Sequence, residues 1–103
     1  GFSGQSFVFH GYLPIDKAHR VKAVKKLERQ SRELQQTQIF METPYRNNQL
    51  LDALIKSCHP GTRLCIGSNL SSPDEMLITR TMKAWKSNKP DLHKKPVVFL
   101  LSA

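Results

Sequence analysis

Short apolar runs alternate with helix-length amphipathic segments along this chain, and that alternation restricts it to an α/β architecture. Phe7, Val8, Phe9 and His10 read as a strand that stops at Gly11-Tyr12-Leu13-Pro14, where glycine and proline punctuate the backbone. Asp16 is placed to cap a helix running to about Gln35. Val21, Val24, Leu27, Ser31 and Leu34 fall on one stripe of it, with Lys22, Lys26, Arg29 and Glu33 opposite. Residues 37–42 form a second strand, stopped by Pro44. An Asn of the turn Tyr45-Arg46-Asn47-Asn48 caps a second helix, whose core face is Leu50, Leu51, Leu54, Ile55 and Cys58 and which ends at Pro60-Gly61. Strands follow at residues 63–67 and 76–81, then a short helical stretch near 82–87. The last strand, 97–101, is an unbroken apolar run of the kind buried on both faces. The expected fold class is α/β: a mixed sheet of about five strands with two or three helices.

With 103 residues there is room for one domain, able to bury a modest core without disulfide staples. The longest apolar run is far short of the roughly 20 residues that span a bilayer, so no membrane role is expected. The first residues carry neither the positive charge nor the apolar core of a signal peptide. With no starting Met, the sequence is expected to be a piece of a longer chain or a processed product. Cys58 and Cys65 fall within apolar patterns and read as buried free thiols, as in a reducing, cytoplasmic setting. The four histidines are scattered, which argues against a zinc site. Sixteen Lys and Arg against eight Asp and Glu give a formal charge of +8, a surface suited to RNA or to an anionic small molecule. Residues 16–35 alone hold seven Lys/Arg and three Asp/Glu.

No serine elbow, glycine-rich phosphate loop or paired carboxylates point to a catalytic constellation. Two loops do leave strand ends, where α/β sheets place ligands. One is Phe9-His10-Gly11-Tyr12-Leu13-Pro14. The other is Met41-Glu42-Thr43-Pro44-Tyr45-Arg46, in which Glu accepts hydrogen bonds, Tyr stacks and Arg pairs with phosphate or carboxylate. Either the second loop holds a polar ligand, or Glu42 and Arg46 pair with each other and fix the helix start.

The segment from Phe7 to Pro14 resembles the FxFxGFLP stretch of tetrapyrrole methylase family proteins. In detail it is similar to the branch that methylates a ribose 2′-oxygen in bacterial small-subunit ribosomal RNA. Glu42-Thr43-Pro44-Tyr45-Arg46 is similar to that branch's E-[SA]-P-[HY]-R motif, and Ser3-Gly4 to its upstream Ser-Gly pair. The resemblance runs from about residue 1 to residue 70. Beyond the third strand the branch carries R-E-L-T-K, whereas this chain has Ser68-Asn69-Leu70-Ser71-Ser72; Lys95-Pro96 stands where a G-E pair often precedes the last strand.

The resemblance implies two α/β domains that hold S-adenosylmethionine between them, and a homodimer. This chain, residues 1–103, would be the C-terminal domain, inactive alone, with RNA or a tetrapyrrole-like acceptor for the methyl group. Gly11, Tyr12, Leu13, Pro14, Glu42, Pro44, Tyr45 and Arg46 would line the cleft or meet substrate. Asn69 and Leu70 would approach the cofactor through backbone atoms. The loss of charge at Ser68, Asn69 and Ser72 counts against ribosomal RNA as the acceptor. The alternative expectation is a non-catalytic basic RNA-binding module.

Overall fold

Asp16 opens the first helix: its carboxylate accepts a hydrogen bond from the His19 N–H (3.1 Å), which satisfies one of the donors that a helix start leaves unpaired. The helix, α1 (Lys17–Leu34), ends where Gln35 takes a left-handed conformation (φ 53°). It connects β1 (Phe7–Tyr12) to β2 (Thr37–Met41), which lie side by side and parallel, an arrangement that requires a crossover of this length. The computed structural model describes residues 6–69 and 72–103. The chain continues through α2 (Asn47–Ser57), β3 (Arg63–Ser68), β4 (Met76–Thr81), α3 (Met82–Ser87) and β5 (Val97–Ser102).

The five strands form one mixed sheet in the order β1-β2-β5-β3-β4. Only β1 and β2 run parallel; β5 is antiparallel to both β2 and β3, and β4 to β3. The last strand in sequence therefore lies at the centre. Register sorts the side chains into two faces. Phe40, Phe99, Leu101, Leu64 and Ile66 share one face and join Val24, Leu27, Leu50, Leu51, Leu54, Met82 and Trp85 of the helices in a single buried cluster. Full burial of such a side chain stabilises by about 1.5–3 kcal/mol. The Trp85 indole N–H is not stranded in this core: it donates to the Leu64 carbonyl (2.9 Å), and the Arg80 guanidinium lies 5.0 Å from the ring centre.

The other face carries Phe7, Phe9, Ile39, Met41, Val98 and Leu100, and no described helix covers it. Phe7 and Phe9 are 52% and 64% exposed. The expectation that β5 is buried on both faces is thus corrected: Val97, Phe99 and Leu101 are buried, but Val98 and Leu100 only half-buried. Two further readings change, the place of Leu34 on the core stripe and the Asn cap of α2. Leu34 is exposed, and Arg20 and Glu28 take places on the inner side of α1. No Asn caps α2: the cap position is Arg46, without a side-chain bond, because the Asn47 amide donates instead to the carbonyls of Leu92 and Lys95 (3.2 and 2.7 Å). Asn48 joins the same segment, accepting from the Leu92 N–H (2.8 Å) and donating to Asp91 (3.1 Å).

Candidate functional site

Both loops singled out in the sequence leave the same edge of the sheet, because the strands that launch them are parallel neighbours. At that edge lies a groove of about 320 Å³, open along one side, lined by Tyr12, Met41, Glu42 and Pro44 and, from the incoming end of β5, by Pro96, Val97 and Val98. Its walls are mainly apolar, with Glu42 the one ionisable carboxylate.

Glu42 is held rather than displayed. Its side chain is 1% exposed. Oε1 accepts from the Thr43 N–H (2.7 Å) and from Arg46 Nε (3.2 Å), while Oε2 lies 3.7 Å from Arg20 Nη2 and makes no hydrogen bond. The Arg20 side chain is 7% exposed, and its Nε donates to the Pro14 carbonyl (3.3 Å). One buried carboxylate therefore ties together the loop after β1, the start of α1, the loop after β2 and the start of α2. A charge so deeply buried requires partners of this kind. Of the two roles open for Glu42 and Arg46, their mutual pairing at the helix start is the one with geometry. Arg20 is the residue that sequence reasoning passed over; its signal was a cation on the same side of α1 as Val24, Leu27 and Ser31.

The remaining predicted residues divide. Tyr12 (63% exposed) and Pro44 face the groove. Gly11 occupies the irregularity where the β1–β2 register slips, at φ +72°. A Cβ there would meet nothing within 4 Å, so substitution costs only backbone strain, about 1–2 kcal/mol. Leu13 turns inward and joins the core, so it is not part of the groove wall. Tyr45, 68% exposed, packs edge-on against His93 at 5.9 Å between ring centres. Asn69, left-handed at φ 51°, donates its N–H to the Pro96 carbonyl (3.2 Å), next to the groove. Its carbonyl accepts from the Ser72 N–H and hydroxyl (3.1 and 2.7 Å). Both backbone groups are thus engaged, which leaves the side-chain amide, not the backbone, to meet a ligand. Leu70 and Ser71, like Ser3 and Gly4, lie outside the described residues.

Elsewhere, both cysteines are free and buried. Burial, and then the neighbouring Glu28 carboxylate, push the Cys58 thiol up to about 12. Glu28 itself accepts from the His59 N–H (2.7 Å) and the Thr62 hydroxyl. Among the described residues no group of three or more His, Cys, Asp and Glu is placed to hold a metal, and no helix is long and apolar enough to cross a membrane.

The architecture has counterparts among solved structures. Over 96% of its length the chain superposes on the methyltransferase CobJ with a TM-score of 0.56 at 15% identity, covering 41% of that chain. It matches the cobalt precorrin-4 methyltransferase CbiF, a cobalamin biosynthetic enzyme, over 95% of its length with a TM-score of 0.55 at 14% identity, covering 40% of that chain. This chain shares its fold with part of these methyltransferases. It spans about two-fifths of their length. No family model matches the sequence, and no curated protein is significantly similar to it.

Proposed function

We propose that this chain is the C-terminal domain of an S-adenosylmethionine-dependent methyltransferase of the tetrapyrrole methylase kind, and that the groove at the ends of β1, β2 and β5 is one wall of its cofactor cleft. The observation that carries this reading is a convergence. Tyr12 from one motif and Glu42 and Pro44 from the other meet around a single open groove, in a fold shared with two methyltransferases more than twice as long.

The residues present fit the adenosyl part of the cofactor. Tyr12, Met41, Pro44 and Val98 offer apolar surface for a purine ring, and Asn69, just past β3 and bonded through its N–H to the Pro96 carbonyl of the groove wall, brings a polar side chain to that end of the sheet. The cofactor when bound supplies an electrophilic methyl group on a sulfonium. The domain's part is to bind and orient, which for an in-line transfer is most of the catalytic task. Glu42, with Arg20 and Arg46, keeps the two groove-forming loops in register and serves as a positioning residue. The open side of the groove is where a second domain would close the cleft, and the uncovered sheet face is where a second copy would pack as a homodimer. The excess of cations favours an anionic acceptor, RNA or a polycarboxylate tetrapyrrole.

Photolabelling with an azido-adenosyl analogue of the cofactor, followed by peptide mapping, tests the reading. Label on the peptides holding Tyr12, Met41 and Val98, suppressed by S-adenosylhomocysteine, is the expected result. Label distributed along the chain, or unaffected by that competitor, would overturn it.

A further inference from the structure

Among the described residues, a run of unpaired cations lies on α1, on the side turned away from the core. Lys22, Lys25, Lys26, Arg29 and Arg32 are all exposed. At 100° per residue they occupy one arc about a third of the circumference wide, and Glu33 is the one acid among them. Among the described residues none of these five side chains takes part in an ion pair or hydrogen bond. The other acid of the helix, Glu28, is buried and spent on His59 and Thr62. Five pairs at spacings of three or four residues carry like charge: Lys22 with Lys25 and Lys26, Arg29 with Lys25, Lys26 and Arg32. Within the arc only Arg29 with Glu33 is opposite; Glu28 lies three residues from Lys25 and four from Arg32, but its carboxylate is bonded to His59 and Thr62. Like pairs at these spacings destabilise a helix, so nothing in local stability accounts for the arrangement.

We infer that this arc is a docking surface for the phosphate backbone of a nucleic acid. The chemistry of the arc selects that partner. A membrane-surface helix needs an apolar face to insert in lipid, and the apolar side of α1, Val24 and Leu27, is 0% and 4% exposed within the core. A protein partner bound tightly needs aromatic or aliphatic anchors, and the arc has none. A phosphate backbone needs only cations at regular spacing. Neighbours about 5–6 Å apart along a helix face supply that, without reading sequence. The inference stands on charge placement and does not depend on methyl transfer.

The test is fluorescence anisotropy of the full chain with a labelled oligouridylate of about 20 nucleotides, from about 50 to 200 mM salt. One variant combines Lys22→Gln, Lys25→Gln, Lys26→Gln and Arg29→Gln, which keeps helix propensity and removes repulsion, so the fold should survive. A matched variant combines Lys56→Gln, Lys83→Gln, Lys86→Gln and Lys94→Gln, with the same net charge. The α1 variant should lose at least about tenfold in affinity at the lowest salt, and its log–log salt slope should flatten by about 3. The matched variant should lose much less. Equal losses in both variants would overturn the inference in favour of diffuse charge. Binding of the unmodified chain to phosphatidylserine-containing vesicles as strong as to RNA, and lost in the α1 variant, would overturn it in favour of a membrane. Adenosyl photolabelling should be unchanged in the α1 variant, so failure here and failure of the methyltransferase reading are separable.

Discussion

Glu42 shows how one side chain can organise a site without standing in it. Its carboxylate is buried between Arg20 and Arg46, and the two arginines differ: the side chain of Arg20 is 7% exposed and that of Arg46 32%. Glu42→Ala strands a buried guanidinium, so it should cost about 3–5 kcal/mol, the scale for removing one partner of a buried pair. Arg46→Ala removes a partly solvated partner and should cost only about 1–2 kcal/mol. Urea denaturation of both variants checks the order; equal costs would mean that Arg20 contributes nothing. Cys58 yields a second prediction. Burial and the Glu28 carboxylate push the folded thiol up to about 12 from an ordinary 9.0. Below pH 9 the thiol is neutral in both states and has no effect. As pH rises from there towards 12 the unfolded chain ionises it and the folded protein does not, so stability is lost across that window. Cys58→Ala should therefore flatten the alkaline decline in urea midpoint relative to the parent. Residue chemistry was only half legible in the sequence. The pairing of Glu42 with Arg46 follows from a spacing of four residues, whereas Arg20 arrives from another element: its place on the apolar side of α1 marks it as unusual, but no local pattern says which carboxylate it meets.

At the scale of elements, the boundaries read best where a local device sets them. Asp16 and Gln35 bound α1 through a cap and a left-handed turn, both determined by nearby backbone, and the strands alternate with helices as the apolar runs require. The start of α2 was misread because its asparagines serve a segment more than forty residues away. Asn47 anchors the approach to β5, and with it the Pro96 side of the groove. Asn47→Ala removes two hydrogen bonds, one buried and one partly buried, and should cost about 1–3 kcal/mol. Amide hydrogen exchange provides the finer check: protection should fall first at Leu92 and Lys95, with α1 unaffected. Uniform loss of protection across the molecule would mean that this segment is not a separate unit. The both-faces reading of β5 failed for a related reason. An apolar run in a central strand looks the same whether one face or two is covered.

For the whole molecule, the governing feature is a sheet with helices on one side and apolar side chains on the other. Phe7, Phe9 and Leu77 are more than half exposed there, and large apolar patches drive association. The charge of +8 opposes association. Salt at physiological strength screens that repulsion beyond about 8 Å and leaves apolar burial untouched. Sedimentation across a salt series should therefore show the mean mass rising with salt; a monomer at every concentration would contradict a docking role for this face. The central claim is that the groove at the ends of β1, β2 and β5 is one wall of an adenosyl-binding cleft. It is tested most directly by amide NMR of the chain titrated with S-adenosylhomocysteine. The account predicts shift changes confined to the surroundings of Tyr12, Met41, Val98 and Asn69, in fast exchange and unsaturated at micromolar ligand, because only one wall is supplied. Changes centred elsewhere, or none at millimolar ligand, would contradict the site; saturation at micromolar ligand would contradict the missing second wall.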